Sequence, residues 1–514
     1  MGRSGEKTAT AIQNSVGRAA FVALALILQL GYLVYLISRA GEYYPYITLA
    51  MEFLALSAVI AIYSQGRSAA SKAGWIVLIL CFPILGLCLY LLLGQSWATR
   101  SIRRRFERAN HAERLPQDAD ALRSAEADSP GMAGQMRYIL NWAGYPVYRN
   151  TAVEFHSQSE IAFSALKREL RRAERFIFME YHAIELSDCF LELEAILAER
   201  AAAGVEVRLF YDDVGSIGFI GPNFVRRMAE RGVHCRVFNP LVPTLRPFMN
   251  NRDHRKITVI DGRIGFTGGY NLADEYFNVK HPYGHWKDAG LMLRGDAVRS
   301  LTAMFLEMWN AAAPQADDSL ERFDTPAGEF AADGWVQPYA DSPLDEERVG
   351  ENVYLNLIEG ARRYVWITTP YLILDDELLH ELILAAKRGV DVRVVTPGIP
   401  DKKLVYQLTR SCCAQLARGG VRVYEYAPGF LHAKLMLVDD LSASVGTANL
   451  DYRSLYLHFE NGVLLHKCAA IADIRRDFDS TLSLCRETTA LYLGRRPTRA
   501  RVAQGLLRLI APLL

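Results

Sequence analysis

The chain carries almost no net charge: 58 basic side chains stand against 57 acidic ones, giving +1 at pH 7. That balance argues against a general nucleic-acid binder, although charge is unevenly spread along the sequence. Cysteine is scarce and unpaired. The eight residues Cys81, Cys88, Cys189, Cys235, Cys412, Cys413, Cys468 and Cys485 form no C-x-x-C pair and have no histidine at zinc spacing. Neither a structural zinc nor a disulfide framework is expected, and adjacent Cys412 and Cys413 suit a helix better than a bridge. Reduced thiols facing the cytosol, with no metal and no cofactor, fit this pattern. What the chain has in quantity is apolar residues, 51% of its 514. That is room for two or three domains.

Three apolar runs fall near the N-terminus, at about 19–38, 46–63 and 74–94. The first and last are each about 20 residues, long enough to span a hydrocarbon core of roughly 30 Å. The middle run carries Glu52, costly in lipid unless paired. Arg3, Lys7 and Arg18 precede the first run as they would in a secretory signal. Its core is too long for the h-region of such a signal, however, so a retained anchor is expected. Arg100, Arg103, Arg104, Arg105 and Arg108 follow the last run and place the remaining chain in the cytoplasm by the positive-inside rule. The N-terminal basic residues favour the same side, which requires an even number of crossings. Two full spans with the 46–63 run re-entrant or interfacial satisfy both. Three spans would leave one basic flank outside.

The segment 1–108 is therefore a multi-pass membrane anchor, and 109–150 a connector. From 151 onward helical and strand patterns alternate, the mark of α/β units. The alternation occurs twice. RYVWITTPYL answers RFIFMEYHAI, RGVDVRVVTP answers AGVEVRLFYD, and GGVRVYEYAP answers RGVHCRVFNP, at offsets of 185 to 188 residues. A duplication on this scale gives two similar domains rather than a solenoid. They are expected at 151–313 and 351–514, each a β-sheet flanked by helices, with 314–350 as linker. The C-terminus (Arg495, Arg496, Arg499, Arg501 and Arg508 interleaved with Val502, Leu506, Leu509 and Ile510) suits a basic amphipathic helix on anionic lipid. A terminal helix packed on its own domain fits equally.

The duplication includes one chemically loaded stretch. HRKITVIDGRIGFTGGYN, 254–271, sets His254, Lys256 and Asp261 in the pattern H-x-K-x4-D, followed by Gly268, Gly269 and Asn271. HAKLMLVDDLSASVGTAN repeats it with His432, Lys434, Asp439, Gly446, Thr447 and Asn449. Alternate residues on a strand share a face, so the His and Lys of each copy point the same way. The small residues let backbone approach whatever those side chains address. Three fixed residue types recur by chance about once in 10⁴ positions at ordinary usage; two copies with the same downstream Gly and Asn do not.

The pair resembles the twin H-K-D signature of the phospholipase D superfamily. HWKD at 285–288, TANLDYRSLYLHFENG at 447–462 and GWIVLILCFPILGLCLYLLLG at 74–94 narrow the resemblance to bacterial cardiolipin synthases, over nearly the whole chain. One departure is NRDH before the first motif, where NRNH or a close variant is expected. The resemblance implies phosphatidyl transfer between two phosphatidylglycerol molecules in the bacterial plasma membrane, giving cardiolipin and glycerol through a phosphohistidine. One imidazole attacks phosphorus while the other serves as acid and then base. It makes His254 the nucleophile and His432 the acid/base, although the sequence symmetry alone does not decide between them. Lys256 and Lys434 would hold the phosphoryl oxygens, aided by Asn271 and Asn449. Asp261 and Asp439 would orient the imidazoles. Trp286, Asp288, Arg453 and Glu460 read as supporting or substrate contacts. A hydrolytic phospholipase D, another head-group transferase, a nuclease and a non-catalytic membrane scaffold are the alternatives.

Overall fold

The computed structural model describes residues 2–43, 45–65, 69–91, 100–112, 115–242, 247–313, 318–326, 328–330 and 333–494, with 505 and 507 isolated beyond them. The amphipathic C-terminal helix expected from the sequence lies outside the described residues.

Two N-terminal helices are long and apolar enough to cross a membrane, Ala19–Glu42 and Pro45–Tyr63. Their large side chains, among them Phe21, Ile27, Leu28 and Phe53, are exposed rather than packed in a core. The third run breaks at Phe82 into the helices Ala69–Cys81 and Pro83–Leu89, because proline lacks the N–H that would continue the ladder. Among the described residues, the 46–63 run passes the test of length and composition for a span, and the third run contributes only the shorter apolar helix Lys72–Cys81.

The basic helix Arg100–Ala109 leads into the body of the protein, where Phe106 stacks on Phe459 at 4.9 Å. The 109–150 segment is more than a connector. Its helices Ala119–Asp128 and Pro130–Tyr138 are fixed to the second half. Trp335 Nε1–H donates to Ala121 O at 3.0 Å, and Gln337 Nε2–H donates to Met136 O and Tyr145 O at 3.0 and 2.8 Å.

The first sheet contains β1 (Thr151–His156), β2 (Phe176–Tyr181), β3 (Glu206–Asp212), β4 (His234–Phe238), β6 (Lys256–Ile260), β7 (Ile264–Gly268) and β9 (Gly290–Gly295), in the order β1-β9-β7-β6-β2-β3-β4. Between them lie two short strands, β5 (Arg252–Asp253) and β8 (His285–Lys287). The second half runs β10 (Trp335–Asp341), β11 (Tyr364–Thr368), β12 (Asp391–Pro397), β13 (Arg422–Tyr426), β14 (Gly429–Leu431), β15 (Leu435–Val438), β16 (Ser442–Gly446), β17 (His458–His466) and β18 (Cys485–Glu487). Its order, β10-β17-β16-β15-β11-β12-β13, repeats the first, with β18 added at the edge. β10 falls inside the segment expected as linker and pairs with β17 in the second sheet.

In each sheet three strands are parallel and the rest antiparallel. β2 (FIFMEY) is buried throughout, as befits a strand covered on both faces. Helix Val298–Ala312 is almost wholly buried. One apolar cluster runs from Phe178, Ile257 and Phe305 in the first half to Val365, Leu437 and Phe459 in the second. The halves share a continuous apolar core.

Candidate active site

The backbone exchange between the halves builds the site. β5, just ahead of His254, pairs with His458–Phe459 of β17, and β14, just ahead of His432, pairs with β8. His254 N–H donates to Phe459 O at 2.9 Å, and His432 N–H donates to Lys287 O at 2.7 Å. Each motif histidine thus lies against a strand of the opposite half. Each meets the carboxylate that follows on that strand. His254 Nδ1–H reaches both Glu460 oxygens at 2.9 Å, and His432 Nδ1–H reaches Asp288 Oδ2 at 2.7 Å. With Nδ1 donating to a carboxylate, Nε2 of each neutral ring keeps a lone pair for chemistry.

The carboxylates are themselves held. Thr447 Oγ1–H donates to Glu460, and Ala289 N–H donates to Asp288 Oδ1 at 2.9 Å. Lys256 and Lys434 each turn Nζ back onto the carbonyl of their own histidine. Lys434 Nζ also lies 2.8 Å from His432 Nδ1.

Every one of these groups is buried. Burial first, and the neighbouring lysine second for His432, press the imidazoles down, to about 3 for His254 and about 4 for His432. Glu460 and Asp288 offset part of that effect. Burial likewise lowers Lys256 to about 8 and Lys434 to about 7. Burial alone would raise Asp288 and Glu460, but their partners together hold both below the usual carboxylate range: His432, Lys434 and the Ala289 N–H act on Asp288, and His254 with His458 on Glu460. Two ammonium groups, two carboxylates and two neutral imidazoles sum to zero charge. An entering phosphate anion would raise the basic groups, turning one imidazole into a proton donor.

Several expected roles change. Asp261 and Asp439 do not orient the imidazoles. Asp261 accepts backbone N–H bonds from Glu174, Arg175 and Phe176 at 2.8–2.9 Å. Asp439 does the same for Arg362, Arg363 and Tyr364 at 2.7–2.8 Å. Both sit at positive φ, 55° and 57°, in the turn beyond the motif strand. At roughly 3.3 Å per residue that turn is about 17 Å from the chemistry.

Gly268 and Gly446 admit neighbouring strands rather than substrate. An added Cβ would meet Ala289 O and Asn461 O respectively. Gly269 has the sharpest requirement, since a Cβ there would collide with Asp288 Oδ1. Of the two roles open to Glu460, the structure shows the supporting one: it holds His254 and is itself held by Thr447. Asn271 accepts from Ala183 N–H and donates to Tyr276 Oη at 2.9 Å, and the Tyr276 ring lies 5.4 Å from His432. Asn449 is buried, and its Oδ1 has no hydrogen-bond partner among the described residues.

Sequence reading missed His182 and His458, whose rings lie 5.0 and 5.4 Å from that of His254. Only their nearness to strand ends could have marked them. His254, His458 and Glu460 place possible metal-ligating atoms within 4.8 Å of one another. Yet His254 Nδ1 is committed to Glu460, and Lys256 sets a positive charge alongside. The trio fits imidazole orientation better than a cation.

A family model described as "Cardiolipin synthase, PLD-like domain" matches residues 354–482, and one described as "Phospholipase_D-nuclease N-terminal" matches 53–95. The chain is 33% identical to a cardiolipin synthase of Geobacillus kaustophilus (strain HTA426) over 88% of its own length and 91% of that protein's. The chain belongs to the cardiolipin synthase family. A cardiolipin synthase of Alkalihalophilus pseudofirmus is 32% identical over the same shares. An uncharacterized protein of Streptococcus mutans is 38% identical over 89% of this chain and all of that one. In fold, the crystal structure of phosphatidylserine synthase from Haemophilus influenzae Rd KW20 matches with a TM-score of 0.55 and 14% identity, covering 74% of this chain and 98% of that one.

Proposed function

We propose that this member of the cardiolipin synthase family transfers a phosphatidyl group from one phosphatidylglycerol to the hydroxyl of another, yielding cardiolipin and glycerol. The observation that carries the reading is the crossed pair of histidine–carboxylate bonds, His254 with Glu460 and His432 with Asp288. It supplies two equivalent imidazoles with free Nε2 atoms in one buried, electrically balanced site.

In the first step His254 Nε2 attacks phosphorus and the P–O bond to glycerol breaks. Protonated His432 gives its Nε2 proton to the departing glycerol oxygen. The phosphatidyl group is then held on His254 as a phosphohistidine. In the second step neutral His432 takes the hydroxyl proton of the incoming phosphatidylglycerol. Its oxygen attacks phosphorus and the P–N bond breaks. Lys256 and Lys434 turn from the histidine carbonyls to the phosphoryl oxygens, where negative charge grows in the transition state.

The two apolar helices support a membrane setting. Two crossings keep the N-terminus and Arg100–Arg108 on one side, and the positive-inside rule makes that side, with the catalytic domains, cytoplasmic. The purified full chain, given phosphatidylglycerol vesicles, should form cardiolipin and glycerol in equal amounts. Phosphatidic acid as the main product would replace the transferase reading with a hydrolase.

A further inference from the structure

Directly ahead of His254, the acidic residue that departs from the expected NRNH pattern meets a second carboxyl. Asp253 is fully buried and so is Glu180 on β2. Their side chains are within hydrogen-bonding reach of each other. Among the described residues Glu180 Oε1, Glu180 Oε2 and Asp253 Oδ2 have no N–H or O–H donor. Arg255 does not supply one: its Nη1 goes to Glu307 Oε2 at 3.1 Å and to Met304 O at 3.2 Å, and its buried Nε has no partner among the described residues. Two ionised carboxylates cannot share such a place. One proton between them removes the repulsion and provides the missing donor.

We propose that Glu180 and Asp253 share a single proton, as a carboxylic acid bonded to a carboxylate, and that this bond is a positioning element for His254. The other polar atoms of Asp253 are all committed around the reacting imidazole. Its N–H donates to Asp212 Oδ2 at 3.0 Å, and its Oδ1 accepts from Arg255 N–H at 3.0 Å. Its carbonyl accepts from His182 Nδ1–H at 2.6 Å, and the His182 ring meets His254 edge-on. Through its backbone Asp253 carries β5 onto β17, and His254 is the next residue. Losing the shared proton would press two like charges apart at that point.

The pair faces Arg255 and Lys256 on its own segment, Asp212 on β3, Glu307 on helix Val298–Ala312, and Tyr145. Burial raises Glu180 well above the carboxylate range and Asp253 to about 7. The sign is that of a raised carboxyl. The folded protein holds a proton that the unfolded chain releases, so stability is full at acid pH and is lost as pH rises through the folded value.

The test uses the full chain in detergent micelles, with thermal unfolding and kcat on a soluble aryl phosphodiester followed from pH 6 to pH 9. An amide at either position donates the hydrogen bond without needing a proton. D253N and E180Q should therefore shrink the loss of Tm between pH 6 and pH 9 to less than half that of the unmodified chain. D253A, which removes the bond, should lower kcat more than tenfold at every pH, and D253N should recover most of that loss. Unchanged pH slopes in both D253N and E180Q would overturn the shared proton. A D253A loss that D253N fails to recover would overturn the positioning role. If D253A does not fold, E180Q and D253N still decide the matter through Tm. That readout does not depend on which lipid reaction the enzyme performs, so its failure is distinct from failure of the proposed function.

Discussion

Replacing Glu460 by glutamine separates this account from one in which the motif aspartates guide the histidines. Glu460 takes the Nδ1–H of His254 on both oxygens at 2.9 Å, in a site where both side chains are buried. A carboxylate can only accept, so it fixes the tautomer whose Nε2 lone pair attacks phosphorus. Glu460→Gln keeps the shape but offers an N–H, which stabilises the opposite tautomer and removes the negative charge that favours imidazolium. Where an aspartate plays this part in a hydrolytic triad, the amide lowers kcat by about 10⁴. A loss on the order of 10³ to 10⁴ is expected here, with little change in fold. Asp261→Ala should do the reverse. Three backbone N–H groups lose a charged acceptor, at a cost on the order of 3 kcal/mol in stability, while kcat per folded molecule stays within a few-fold. The assay is phosphatidyl transfer between phosphatidylglycerol molecules in vesicles, normalised to folded protein by thermal unfolding. An E460Q enzyme within tenfold of the unmodified one, or an Asp261→Ala enzyme that folds normally yet is inactive, would refute the reasoning.

Lys256→Ala should cost about 2.7–4 kcal/mol of transition-state stabilisation, the scale of one lost oxyanion donor; a variant within twofold in kcat/KM would remove Lys256 from the chemistry. The pH dependence of kcat/KM should bend on both sides. It should fall toward about 3 as the nucleophile His254 takes a proton, and above 7 to 8 as Lys434 and Lys256, lowered to about 7 and about 8, lose theirs. A flat profile through pH 9 would count against lysine as the anion holder. Activity should survive EDTA, since lysine ammonium groups supply the positive charge; inactivation reversed by one divalent ion would assign His254, His458 and Glu460 a metal after all. Gly269→Ala should act like a partial loss of Asp288, because its Cβ would occupy the place of that carboxylate; normal turnover would show that the strand end can shift without cost.

The duplication, and with it the α/β class and the paired histidines and lysines, was legible because strand pairs recur at nearly constant offsets. The role of Asp261 and Asp439 was not. Their fixed spacing from the lysine reflects the length of a strand and the need for a turn residue that tolerates positive φ while tying down the start of the neighbouring strand. Asp288 and Glu460 were noticed, but their roles emerge only from the parallel pairing of β5 with β17 and β14 with β8. That exchange joins residues 144 to 206 positions apart and has no local signature. The break at Phe82 was signalled by Pro83, yet the choice of spans rested on the charge of Glu52.

The central claim is that His254 carries the phosphatidyl group while His432 handles the proton. An aryl phosphodiester needs no proton to release its phenolate, but the second step still needs a base. His432→Ala mixed with such a substrate should release about one equivalent of phenolate per enzyme and then stall, with the phosphoryl adduct on His254 found by mass spectrometry. A burst from His254→Ala and none from His432→Ala would reverse the roles, and no burst from either would contradict the covalent route.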